Sequence, residues 1–140
     1  MQRDMLILAC HAADGHFADG DRSAVRLVLD QSHYISHLAP LNMEHFVVVC
    51  ADGGEIELRA QGLESKRSFH RIELFITPDS WTSDIVTLLF DLMHQGGFGL
   101  VNALDSQYFI VTHPQQVSYF PWLPAAPLLV RSPRDLSYAL

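Results

Sequence analysis

SFHRIELFITP (68–78), DSWTSDIVTLLFDLMHQGG (79–97), FGLVNAL (98–104) and SQYFIVTHP (106–114) read in succession as an alternating β segment, an amphipathic helix and two further short strands. In the first segment His70, Ile72, Leu74 and Ile76 share one face and Phe69, Arg71, Glu73 and Phe75 the other, the period of a half-buried strand. The more apolar set, His70 to Ile76, is expected to face the core. In the second, Trp81, Ile85, Leu88, Leu89 and Leu92 recur at helical spacing, opposite Asp84, Thr87, Asp91 and His94. Asp79 or Ser80 is expected to cap this helix over 79–95, and Gly96-Gly97 to supply its left-handed exit. A helix between strands with these patterns defines an α+β fold with the helix packed on a largely antiparallel sheet.

Upstream, EHFVVVCA (44–51) and EIELRAQ (55–61) flank Asp52-Gly53-Gly54, a strong short-range hairpin signal. With 69–77 they make a meander of three strands, joined to the third strand by the polar loop 62–67. Asp4–Ala12 is expected to be a first strand and 13–22 a loop rich in Asp-Gly turns. Ser23–Leu38 carries Val25, Val28, Leu29, Ser32, Ile35 and Leu38 on one helical stripe, while Val25, Leu27 and Leu29 also alternate as a strand would; it is read as a helix ending before Pro40. After His113 the composition changes: five of the seven prolines fall in 114–140. That tail is expected to run as an extended, proline-stiffened arm anchored by Trp122, Leu123, Leu128 and Leu129, on its own domain or on a dimer partner. The whole, 1–140, is then one two-layer α+β domain with one or two helices on one face.

Composition narrows the classes. With 49% apolar and 18% charged residues the chain is globular rather than disordered. No apolar run nears the ~20 residues that cross a bilayer, and Met5–Cys10 is short for a secretory signal, so a cytoplasmic protein is expected. Nine Lys and Arg against sixteen Asp and Glu give a net charge of −7 with histidine neutral. That balance disfavours nucleic acid and favours a basic protein partner. Cys10 and Cys50 each sit in an apolar strand segment and read as reduced core thiols.

Candidate chemistry is thin. His33 and His37, four apart on the expected helix, would share a face and could hold zinc or another divalent metal. Asp14, His16, Asp19 and Asp21 crowd one loop but lack calcium-loop spacing. Cys10 and His11 are adjacent, yet strand neighbours point to opposite faces, so they form no dyad. Lys66, Arg67, His70 and Arg71 form a cationic cluster beside a strand, read as a charged edge. Asp84, Asp91 and His94 on the open helix face, with Trp122 in the tail, are the candidate binding residues. No nucleotide-binding or serine-hydrolase motif is present.

The order helix, three-stranded meander, helix, two strands over 23–113 resembles the arrangement of type III secretion chaperones. That resemblance implies a dimeric α+β domain holding an effector segment in extended form. The chain departs from it in its strand-like start and in its proline-rich tail, where the family has a final helix. HRIELFITP (70–78) followed by Trp81 and LLFDLM (88–93) is similar to the suppressor-of-fused-like domains of bacterial toxin-immunity proteins. Both imply binding. The leading expectation is therefore a non-catalytic protein-binding module of chaperone, immunity or anti-factor type, acting as a homodimer. A metal-dependent or His-based enzyme using His33 and His37 and a small-molecule sensor with a pocket between helix and sheet are the alternatives.

Overall fold

The computed structural model describes residues 3–104 and 106–140. Strands β1 (Asp4–Ala9), β2 (Ile35–Asn42), β3 (His45–Cys50), β4 (Glu55–Arg59), β5 (Arg71–Ile76), β6 (Gly99–Asn102), β7 (Ile110–Val111) and β8 (Leu128–Leu129) form one sheet in the order β2-β3-β4-β5-β1-β6-β7-β8. Every pairing is antiparallel except β7 with β8. Helices α1 (Arg22–Gln31), α2 (Ser83–Gly96), α3 (Gln116–Tyr119) and α4 (Pro133–Ala139) complete an α+β fold. No helix among the described residues is long and apolar enough to cross a membrane.

The core follows the strand alternation. Leu6 and Leu8 of β1, Val48 of β3, Ile56 and Leu58 of β4, and Ile72, Leu74 and Ile76 of β5 are buried against Val25 and Leu29 of α1 and Ile85, Leu88, Leu89 and Leu92 of α2. Ile72, Leu74 and Ile76 of the expected core face are buried, but Phe69, expected on the other face, is fully buried against Phe98 and His70 is only half-buried. The first strand occupies the middle of the sheet, between β5 and β6. Residues 23–113 therefore do not make a closed sheet without β1.

Three sequence expectations need correction. The helix expected over 23–38 stops at Gln31: Ser32 turns extended at ψ 127°, its N–H still donating to the Val28 carbonyl. The chain then continues as β2, extending the expected three-stranded meander to four. A strand wins here because β3 offers a free edge whose N–H and C=O groups can pair with it. Pro40, which cannot donate, is tolerated because β2 is itself the outer strand.

The second correction concerns the start of α2. Pro78–Ser80 makes a single 3₁₀ turn, and Thr82 is the N-cap, its hydroxyl accepting from Ile85 N–H at 3.4 Å. Trp81 stays extended, so its indole N–H reaches the Asp4 carboxylate at 3.1 Å. Gly97 ends the helix at φ +82°, as expected.

Third, the tail is not one extended arm. It contains α3, β8 and α4, and its cover of the second sheet face is local: Phe120 is buried with Ala9, Phe109 and Val111, joined by Leu123 and Leu129. Trp122, 69% exposed, and Leu128, 41% exposed, are not anchors. Val130 and Leu136 instead return to the main core, and Leu136 is fully buried.

Candidate functional site

The helix layer is closed on one side of α2 and open on the other. α1 and α2 pack side by side, and the Asp21 N–H donates to the Gly96 carbonyl at 3.0 Å, tying the start of one helix to the end of the other. On the other side α4 touches α2, and residues of both helices line an opening between them. A cleft of about 1000 Å³ opens there. Its floor is the sheet, where the buried side chains of Leu6, Leu100 and Ile110 form an apolar base. Trp81, Val86 and Thr87 form the α2 wall; Arg134 and Ser137 form the α4 wall. Asn102 and Tyr108 close one end.

The lining combines an apolar base with separated polar groups, the usual make-up of a small-molecule site. Several groups are already oriented by the protein. Asp4 accepts the Trp81 indole N–H, which fixes that ring against the cleft. The Thr87 hydroxyl donates to the Ser83 carbonyl at 3.0 Å, and the Ser137 hydroxyl to the Arg134 carbonyl at 2.6 Å. The Arg134 Nε donates to the Tyr138 hydroxyl at 3.2 Å, and the guanidinium lies 5.9 Å from the Tyr138 ring centroid.

The residues singled out from the sequence lie elsewhere. His33 sits in the turn after α1 and His37 on β2, so the shared helical face that would have paired them around an ion does not exist. Among the described residues no group of three or more His, Cys, Asp or Glu side chains is placed to hold a metal ion. Asp84 is engaged in a reciprocal clasp. Its carboxylate accepts from Asp52 N–H at 3.1 Å, and its own N–H donates to the Asp52 carboxylate at 2.9 Å. The clasp docks the β3–β4 turn onto the start of α2, where Gly54 lies so close to Thr82 that a Cβ would collide with its hydroxyl. Asp91 accepts the Tyr34 hydroxyl at 2.7 Å, and burial first, then Asp91, pushes the Tyr34 phenol well above its ordinary range. His94 stacks on His113 at 4.1 Å, and His113 Nε2 donates to the His94 carbonyl at 2.8 Å. Burial, with His113 beside it, pulls the His94 imidazole below its ordinary value. Three of the four candidate binding residues thus hold the fold together, and Trp122 stands free in the tail.

The aspartates of the 14–21 loop are likewise occupied. Asp14 accepts from His16 N–H, Asp19 from Phe69 N–H and from Arg22, and Asp21 caps α1 through Ala24 N–H. In the cationic cluster, the Arg67 carbonyl accepts from Arg22, Arg71 lies 3.6 Å from Glu73, and His70 stacks on Phe17. Both cysteines are buried; desolvation, then Asp84 and Asp52, pushes the Cys50 thiol up to about 11, and desolvation with Asp19 raises Cys10. Burial and the neighbouring carboxylates thus disfavour the thiolate form of both cysteines.

Of the cleft, the sequence contributed Trp81, as a core residue, and Thr87, on the open face of the helix. The Trp81 indole N–H needed a partner, but Asp4 lies 77 positions away and no spacing rule connects them. Compared with protein-family models, curated proteins and solved structures, the chain matches none.

Proposed function

We propose that the protein is a ligand-binding module whose cleft between α2, α4 and the sheet takes up a small amphipathic molecule. The observation that carries this is the lining of the cleft. An apolar floor of Leu6, Leu100 and Ile110 lies beneath walls that present oriented polar groups. Its volume, about 1000 Å³, matches the upper range of small-molecule pockets. Such a domain would act as a sensor or carrier, with uptake of the molecule bracing α4 against α2.

The test is a thermal-shift screen of amphipathic small molecules against the wild type and Val86→Trp, in which the indole fills the cleft from the α2 wall. The expected result is at least one compound that raises the melting temperature saturably in the wild type, as binding to the native state requires, and fails to do so in Val86→Trp. Hits that persist in the filled variant, or no hit at all, overturn the proposal.

A second reading, a protein-binding module for a basic partner, is favoured by the outer edge of β2. That strand has no neighbour on its far side, and Leu41 and Met43 at its tip are 55% and 65% exposed. The net charge of −7 would steer a basic partner toward the molecule. Strand addition along β2 would use its free backbone groups, though Pro40 and two register shifts interrupt them. This reading includes the homodimer, formed through the same edge.

A further inference from the structure

We infer that the molecule taken up is an amphipathic carboxylic acid, its apolar chain along the sheet floor and its carboxylate held by Arg134; this rests on the cleft being a ligand site. Among the described residues Arg134 is the only cationic side chain in the lining. Arg3, Arg22, Arg26, Arg59 and Arg71 each lie within 4.0 Å of a carboxylate of the chain; Arg67 and Arg131, like Arg134, do not, but neither lines the cleft. Arg134 has no such partner among the described residues. Its guanidinium is instead steadied by a neutral group, Nε on the Tyr138 hydroxyl and the plane near the Tyr138 ring. That arrangement occupies Nε and leaves both Nη atoms for a ligand, and their planar fork matches the two oxygens of a carboxylate. Because Tyr138 already restrains the side chain, less rotamer entropy is lost when a ligand binds.

The cleft also has an electrical direction. Asp4, beneath the α2 wall, is the one acidic side chain in the lining among the described residues, and its Oδ2 already accepts from Trp81. An anionic head group is repelled from that side and attracted to the α4 wall, where the unpaired donors stand. The apolar body then has one place to go, over Leu6, Leu100 and Ile110 with Val86 beside it. Trp81, fixed at the opposite wall, would report the occupant's arrival.

Decanoate, decanol and decylamine, each below its micellar concentration, make the probes, titrated against Trp81 emission in a Trp122→Phe background that removes the other tryptophan. The expected result is saturable binding of decanoate, weakened tenfold or more by Arg134→Gln, with decanol binding changed less than twofold. Thermal melts verify that the exposed substitution leaves the fold intact. Equal decanoate affinity in Arg134→Gln, or tighter binding of decylamine than of decanoate, overturns the assignment of the acid while leaving the cleft as a site. No response of Trp81 to any of the three probes overturns both the acid and the cleft reading.

Discussion

The two flanks of α2 use the same helix for opposite ends. Toward α1 and the sheet it presents side chains with no solvent exposure, Leu88, Leu89 and Leu92 among them. Toward α4 its first turns present Val86 and Thr87, and the extended Trp81 just before the helix, to a cleft of about 1000 Å³. The sealed flank has complementary aliphatic volumes and a backbone bond between the two helices. The open flank is bridged by one fully buried residue of a seven-residue helix, Leu136 of α4. Close packing needs interdigitating partners at every turn, and α4 is too short to supply them along the whole of α2. Stability is concentrated on one flank, and space for a ligand is left on the other.

The largest expected effect lies on the sealed flank. Leu88→Ala removes a fully buried side chain between α2 and the sheet and is expected to cost about 3 kcal/mol of unfolding free energy, the middle of the range for such truncations. Chemical denaturation measures it directly. A loss below about 1 kcal/mol would mean that the sealed flank relaxes as easily as the open one, and the contrast would fail.

A smaller effect is expected at the clasp that starts α2. Partial desolvation pushes the Asp52 carboxyl up, but the N–H groups of Asp84 and Gly54 outweigh it and hold the group below its ordinary value of 3.8. A carboxyl whose folded pKa lies below its unfolded one stabilises the native state above the unfolded value, and that contribution is lost as pH falls through the folded one. Asp52→Asn should lower the melting temperature at pH 7 by less than Leu88→Ala does, and the gap from wild type should close as the pH is brought below 3.8. Melts across that range check it; a gap that persists unchanged in acid would show that the clasp depends on shape rather than charge.

What was legible in the sequence follows from how local each signal is. β5, the body of α2 and the Gly97 exit rest on patterns within one element, and they emerge as elements of the expected type in the expected place. The segment after Gln31 does not, because helix and strand stripes both fit its apolar residues and the decision rests on pairing with the vacant edge of β3, which no pattern within 23–38 reports. Tyr34 adds a second distant hold, its hydroxyl on Asp91 and its carbonyl accepting from Ala51 N–H. The helical pairing of His33 with His37 was a consequence of the misplaced boundary. The cleft was less legible still. Asp4, Trp81, Tyr108 and Arg134 meet only after β1 enters the middle of the sheet and α4 returns across it, and no periodicity encodes that meeting.

The smallest expected effect separates the flanks most sharply. Val86 lies two positions before Leu88 on the same helix, yet it faces the cleft and is only half-buried. Truncating it removes about two methyl-sized groups from a surface that solvent already reaches, so Val86→Ala should cost about 0.5 kcal/mol in the free protein. With the cleft occupied, the same side chain becomes part of a dry contact, and its loss should weaken binding of an apolar-bodied ligand by a few-fold. Denaturation with and without decanoate gives both numbers from one variant. A substitution nearly silent in the free protein but costly in the bound one marks a side chain placed for a ligand. A full core penalty in the free protein would mean that the α2 wall belongs to the sealed interior and that the two flanks are one.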